Sequence, residues 1–221
     1  MLENQYWQAG GDDYPDGFNQ KMEMSRKASI ERNTSETQIS LDLLIDGSGI
    51  NSISTGIPFL DHMLELFSRH GFFDLKIQAK GDLQIDYHHL VEDLGIALGQ
   101  AFGKALGNKS GIKRYGYFIV PMDETLVTTA VDLSNRPYLS WQVPTENSMV
   151  RDFNIQLLKE FFQSFANEVA CNLHIRLEHG DEPHHVAEAI FKSLSKSLDN
   201  ATKSEPRLNG QVPSTKGTLS I

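Results

Sequence analysis

From Glu36 the chain alternates apolar and polar side chains through Ile45, and from Glu124 it does so again through Leu133. A period of two is the mark of a half-buried strand. Residues 59–69 and 155–169 instead return to an apolar side chain every three or four positions. Two further stretches, opening at His88 and His184, share that period. Their apolar positions are Leu90, Leu94, Ala97, Leu98, Ala101 and Ala105, then Val186, Ala189, Ile190, Leu194 and Leu198. Four amphipathic helices are predicted. Short apolar runs at 75–78, ahead of Gly81, and 173–177, ahead of Gly180, predict a strand and turn before each of the two helices that open on histidine.

The order of these elements repeats. His88-His89-Leu90-Val91-Glu92 and His184-His185-Val186-Ala187-Glu188 are both HHxxE, and nearly half the chain lies between them. Setting Ile77 on Ile175 places His62 against Glu160. Each half, about 28–112 and 113–205, reads as β-β-α-β-α, and doubling that unit gives an α+β sheet-and-helix sandwich.

Composition narrows the classes. With 221 residues, 39% hydrophobic and 22% charged, the chain has the makings of one large globular domain or two small fused ones. A net charge of −9 speaks against binding nucleic acid, although a few local cations can hold one small anion. No apolar run approaches the ~20 residues of a membrane span. Residues 1–24 hold five acidic side chains and one lysine, with Gly10, Gly11, Pro15 and Gly17. They read as a flexible acidic extension, unlike a secretory or transit leader. Cys171 is the only cysteine, so an internal disulfide and a thiolate zinc site are excluded, and a reducing cytoplasm is the expected compartment.

The eight histidines carry the chemistry. Positions i and i+4 share a helix face, so His88 with Glu92, and His184 with Glu188, can each grip one ion. His89 and His185 sit ~100° further round the helix, which suits a second ion. A lone His-His pair is ordinary surface; two pairs with the same downstream glutamate at matching helix starts point to metal. Imidazole and carboxylate donors without thiolate suit Mn²⁺, Fe²⁺, Ni²⁺ or Zn²⁺ by ligand type, and carboxylate sites with open positions lean to six-coordinate ions such as Mn²⁺. His62 and Glu160 open the preceding helices and could add ligands. His70 and His174 are weaker candidates, His179 reads as solvated, and Cys171 reads as core filler.

Anion-binding candidates are Arg114, Arg136, Lys192 and the tail Pro213-Ser214-Thr215-Lys216-Gly217, whose hydroxyls, cation and permissive glycine suit a phosphate. Lys192 shares a helix face with His184 and Glu188. Singly each is a surface cation; gathered round one metal centre they would make an anion site in an acidic protein.

These tracts resemble the imidazoleglycerol-phosphate dehydratase family. The match runs through Arg32-Asn33-Thr34-Ser35-Glu36-Thr37, Thr55-Gly56-Ile57-Pro58-Phe59-Leu60-Asp61-His62-Met63-Leu64 with His70, and both HHxxE blocks. It continues through Gly111-Ile112-Lys113-Arg114-Tyr115-Gly116, Pro121-Met122-Asp123-Glu124, residues 132–137, Asn172-Leu173-His174-Ile175, Glu188-Ala189-Ile190-Phe191-Lys192 and residues 213–217. The resemblance implies a ribosomal S5 domain 2-like fold over 25–221. It also implies a hydro-lyase that dehydrates imidazoleglycerol phosphate to the keto phosphate in histidine biosynthesis, with two Mn²⁺ per active site.

By that resemblance the metal ligands are His62, His88, His89, Glu92, His184, His185 and Glu188. Where many relatives carry a further histidine this chain has Glu160, a possible eighth ligand. Glu36 and Glu188 are placed for proton transfer. His70, with Glu36, would contact substrate, and Arg114, Arg136, Lys192, Ser214, Thr215 and Lys216 would hold its phosphate. Trimers joined into a shell of 24 copies, with sites between subunits, are the implied assembly. The chemistry needs cations because the proton removed lies on a carbinol carbon with no carbonyl beside it; an imidazole bound through both nitrogens can expel the neighbouring hydroxyl and acidify that C–H. Two other readings fit the histidines, a binuclear phosphatase releasing inorganic phosphate and a metal-storage protein. The second leaves Glu36 and the tail without a role.

Overall fold

The alternating run from residue 37 forms the centre of a sheet. In the computed structural model, which describes residues 25–144 and 148–219, β1 (Lys27–Asn33) pairs antiparallel with β2 (Thr37–Leu44), Ile30 opposite Leu41. On the other edge of β2 lies β4 (Asp74–Gly81), with Ile77 opposite Leu41. A short β3 (Asn51–Ser54) runs parallel to β4 and sets Ile53 against Ile77. The acidic extension 1–24 lies outside the described residues.

The second half repeats the pattern. β5 (Tyr115–Met122), β6 (Thr125–Asp132), β10 (Asn172–His179) and β7 (Tyr138–Gln142) make a sheet ordered 5-6-10-7, against 1-2-4-3 in the first. Ile175 faces Thr129 on one side and Trp141 on the other, as Ile77 faces Leu41 and Ile53. Each half is α+β, and each four-stranded sheet carries one strand beyond the β-β-α-β-α reading, β3 in the first and β7 in the second. Both are short, and β3, Asn51–Ser54, holds one apolar residue, too few to show a period.

Four helices fill the space between the sheets. Pro58 and Pro183, with φ preset for a first turn, open α1 (Pro58–Gly71) and α4 (Pro183–Thr202). The other two are α2 (His88–Leu106) and α3 (Leu157–Val169). α2 packs on β1 and β2, α4 packs on β5 and β6, and the helices meet as α2 on α3 and α1 on α4. The layers are therefore sheet, helices, helices, sheet.

Burial follows the periods read from the chain. Ile39, Leu41 and Leu43 point inward from β2, and Leu90, Leu94, Ala97, Leu98 and Ala101 from α2. Each large apolar side chain so buried contributes roughly 1.5–3 kcal/mol. Aromatic rings stitch the halves: Phe67, Phe73 and Phe102 stand 5.1–5.9 Å apart, and Phe102 meets Phe165 of α3 at 5.7 Å. Close approach of α2 to α3 needs Gly95, where a Cβ would lie 2.3 Å from the Phe161 carbonyl oxygen. Gly116 does the same for β5, where a Cβ would lie 1.9 Å from the Ser197 carbonyl oxygen of α4.

A candidate metal centre

Packing of α1 on α4 brings His62, in the second turn of α1, to the start of α4. His62 Nε2 lies 3.0 Å and His184 Nε2 2.9 Å from the same oxygen, Glu188 Oε1. Donor atoms of these three side chains all fall within 4.8 Å of one another, the one such group of three among the described residues. Glu188 is 8% exposed, and its other oxygen accepts from Lys192 Nζ at 2.5 Å. Burial alone would raise this carboxyl, but the hydrogen bonds from Lys192, His62 and His184 outweigh it and bring its pKa down to about 2. The group is therefore an anion facing two imidazoles, a donor set that fits a borderline divalent ion.

The other HHxxE block sits at the start of α2, where the His88 N–H is capped by Asp86 Oδ1 at 2.8 Å. His88 Nε2 and Glu92 Oε2 are 3.5 Å apart. Glu160 lies in the first turn of α3, one residue before the Phe161 that touches Gly95, but it does not close a triplet with His88 and Glu92 as His62 does with His184 and Glu188. The two blocks share one end of the molecule. Tyr87, Phe153, Phe59 and His184 form a chain of rings with centroids 5.3–6.2 Å apart. Phe153 reaches that chain from a small ribbon, β8 (Met149–Val150) with β9 (Phe153–Asn154).

Within each doublet the rings diverge. His88 and His89 are inclined at 86° and His184 and His185 at 85°, as the helical turn between adjacent residues requires. His89 Nδ1 lies 3.0 Å from Asp82 Oδ2 and 3.8 Å from Glu36 Oε2. His185 Nδ1 lies 2.8 Å from Glu124 Oε2. Both imidazoles are raised in pKa, first by those hydrogen bonds to Asp82 and to Glu124, and Glu124 is drawn down to about 2, chiefly by His185. Sequence reading named Glu36 but passed over Asp82 and gave Glu124 no role; a lone acidic residue in a turn carries no period to mark it.

Glu36 lies in a turn held by Thr34, whose Oγ1 accepts from the N–H groups of Glu36 (3.1 Å) and Thr37 (2.9 Å). Asp93, 8% exposed on α2, takes hydrogen bonds from Thr37 Oγ1 and from Arg32 (2.6 Å). The turn bearing Glu36 is thereby tied to the helix bearing His88 and His89. His70, half-buried at the end of α1, is depressed in pKa by burial and by the charges of Lys192 and Lys196. Of the remaining candidates, His174 lies exposed against Tyr138 (5.7 Å), His179 Nδ1 bonds the exposed Glu124 carbonyl (2.9 Å), and Cys171 is fully buried with its thiol pushed up to about 12.

The phosphate candidates are parted. Arg114 is 7% exposed, and three of its five N–H donors are taken, two by Asp132 (2.7 and 3.0 Å) and one by the Pro213 carbonyl (2.8 Å). Arg136 reaches Asp132 at 3.6 Å. The Ser214–Gly217 turn, closed by a 3.0 Å backbone hydrogen bond, follows directly. This cluster lies at the C-terminal end of α4, where the Arg114 N–H donates to the Ala201 carbonyl. From His184 to Ala201 the helix rises ~25 Å at 1.5 Å per residue. Lys192 alone of the four cations stands at the metal end.

Comparison with known proteins gives a consistent result. Residues 55–198 match the family imidazoleglycerol-phosphate dehydratase. The imidazoleglycerol-phosphate dehydratase of Pelobacter propionicus is 57% identical over 89% of this chain and 100% of its own length, and that of Trichlorobacter lovleyi is 56% identical over the same shares. Crystal structures of imidazoleglycerol-phosphate dehydratase from Staphylococcus aureus and Pyrococcus furiosus superpose with TM-scores of 0.74 at 36% and 37% identity. They cover 81% and 86% of this chain and 99% of theirs.

Proposed function

The chain belongs to the imidazoleglycerol-phosphate dehydratase family, and from that premise we propose how its residues carry out the dehydration. It is a hydro-lyase that removes water from imidazoleglycerol phosphate in histidine biosynthesis; a phosphatase and a metal store are set aside. Convergence of His62 and His184 on Glu188 is the observation that carries the metal-dependent form of this reading. Two divalent ions, Mn²⁺ by resemblance, would be held by His62, His88, His89, Glu92, His184, His185 and Glu188, with Glu160 in reach as a further carboxylate ligand. Bound there, such ions would supply Lewis acidity to the imidazole and help orient the ring.

The chain's own groups do the rest. Glu36, exposed on its Thr34-braced turn beside His89, is free to take the proton from the carbinol C–H. Glu188, held ionised with Lys192 on its second oxygen, is the other carboxylate placed for proton transfer, and the hydroxyl departs as water with a proton drawn from solvent. His70, at the end of α1 near Lys192 and Lys196, contacts substrate. Arg136, Ser214, Thr215 and Lys216 grip the phosphate, and Arg114 both meets it and pins the tail through Pro213.

Substrate spans about 8 Å from ring to phosphate at ~1.5 Å per bond, while the two clusters lie ~25 Å apart along α4. A working site therefore joins the metal end of one copy to the tail of another, which supports a homo-oligomer, by resemblance a 24-subunit shell of trimers. Residues 25–221 form the dehydratase domain and 1–24 an added extension. No helix of the described residues is long and apolar enough to cross a membrane, and the one buried thiol suits a cytoplasmic enzyme. Rescue of a histidine auxotroph lacking this dehydratase, with keto product formed by the purified manganese-loaded protein, tests the reading. Failure of both would end it.

A further inference from the structure

The duplicated halves treat their second histidines differently. Glu36 and Glu124 occupy matching places, each just before the threonine that starts a central strand, Thr37 of β2 and Thr125 of β6. Glu124 sits 2.8 Å from His185 Nδ1 and is itself fixed by Thr125 Oγ1 at 2.8 Å. Glu36 stands back, 3.8 Å from His89 Nδ1, because Asp82 occupies that position at 3.0 Å. Setting Ile77 on Ile175 puts Gly180 where the first half has Asp82. That glycine has φ +117, and a Cβ on it would lie 2.3 Å from Thr125 Oγ1. The second half thus removes a side chain from the loop and lets the strand-start carboxylate close on its histidine. The first half puts an aspartate in the loop and leaves the strand-start carboxylate free.

We infer that Asp82 and Glu124 are positioning residues that accept from Nδ1 of His89 and His185 and so aim Nε2 of each ring at an ion, which leaves Glu36 as the one strand-start carboxylate available to substrate. A carboxylate behind a ligating imidazole fixes its tautomer and ring orientation, and losing one commonly weakens metal binding 10–100-fold. The inference deepens the two-ion reading and rests on it.

Its test reads metal retention. Manganese-loaded wild type, Glu124→Gln, Asp82→Asn and Glu36→Gln are challenged with a graded chelator, and bound ions per subunit are counted by elemental analysis and Mn²⁺ EPR. Glu124→Gln and Asp82→Asn should each release one of two ions at a chelator concentration about 10–100-fold below that needed for wild type. Glu36→Gln should hold both like wild type, and Glu124→Asp, which keeps the carboxylate, should recover part of the loss. Wild-type retention by Glu124→Gln, or equal weakening by Glu36→Gln, overturns the inference. So does release of both ions together with Glu124→Asp no better, since Glu124 would then be a structural prop. A wild type that retains no divalent ion takes down the two-ion reading and this inference with it; two ions retained equally by wild type and variants take down the inference alone.

Discussion

Lys192 Nζ stands 2.5 Å from Glu188 Oε2, one turn along α4, while Oε1 of the same carboxylate faces His62 and His184. Three donors around one half-screened carboxylate keep it ionised far below the ordinary range, to about 2 from 4.5. A folded-state pKa below the unfolded one adds stability that is present above pH about 4.5 and lost as pH falls towards about 2. With chelator present, wild type should exceed Glu188→Gln in denaturant midpoint at pH 7, and the gap should close between pH 4.5 and 2. A gap that stays constant through that window would remove Glu188 as its source.

Glu36 is exposed, and its turn is braced by Thr34 and tied to α2 through Asp93. Glu36→Gln keeps the shape and removes the base. Turnover should fall ~10²–10⁴-fold, the usual worth of a positioned general base, with the fold intact by circular dichroism. Loss of under tenfold would give the proton to another group.

The sequence made the helices, the central strands and the duplication legible, because buried faces impose a period that spans many residues. Leu41, Ile77 and Ile175 betray their sheets in this way. His184 and Glu188 were readable for a related reason: i to i+4 spacing on one helix, repeated at His88 and Glu92, is geometry written in residue numbers, whereas His62 was marked only by its place at a preceding helix start and by the family resemblance. Asp82 behind His89 was not, since that contact depends on how a loop folds over a helix start. Nor did spacing reveal that Arg114 commits three of its donors to Asp132 and Pro213, or that α4 holds the tail ~25 Å from the metal ligands. Those distances arise only once the strand, helix and tail are stacked.

Gly95 and Gly103 lie on one face of α2 but differ in what lies opposite. A Cβ at Gly95 would sit 2.3 Å from the Phe161 carbonyl oxygen, whereas at Gly103 the nearest atom is 3.3 Å away. Gly95→Ala should destabilise by about 1–3 kcal/mol through forced separation of α2 and α3. Gly103→Ala should be close to neutral, the crowding offset by up to ~1 kcal/mol of helix propensity. Urea unfolding of the two variants compares them directly, and equal effects would mean the helix crossing is slack.

Glu160 lies in the first turn of α3 next to that crossing, yet forms no close triplet with His88 and Glu92. A histidine there would offer a neutral nitrogen donor on a side chain of similar reach. Glu160→His should tighten retention of one of the two ions under chelator competition and leave the other unchanged. Unchanged retention of both would remove residue 160 from the ligand set.

Removing the ions should undo the assembly as well as the chemistry. His184 and the Ser214–Gly217 turn lie at opposite ends of α4, so if the first holds the ring and the second the phosphate, as proposed above, one copy cannot hold both ends of an 8 Å substrate. If ligands from neighbouring copies complete each ion's shell, the ions are themselves intersubunit bonds, and their binding free energy is part of the assembly free energy. Chelation should therefore lower the particle mass in light scattering over the same chelator range that abolishes turnover, and added Mn²⁺ should restore both. Full particle mass at zero bound metal would show that protein contacts alone build the shell, and would confine the ions to catalysis.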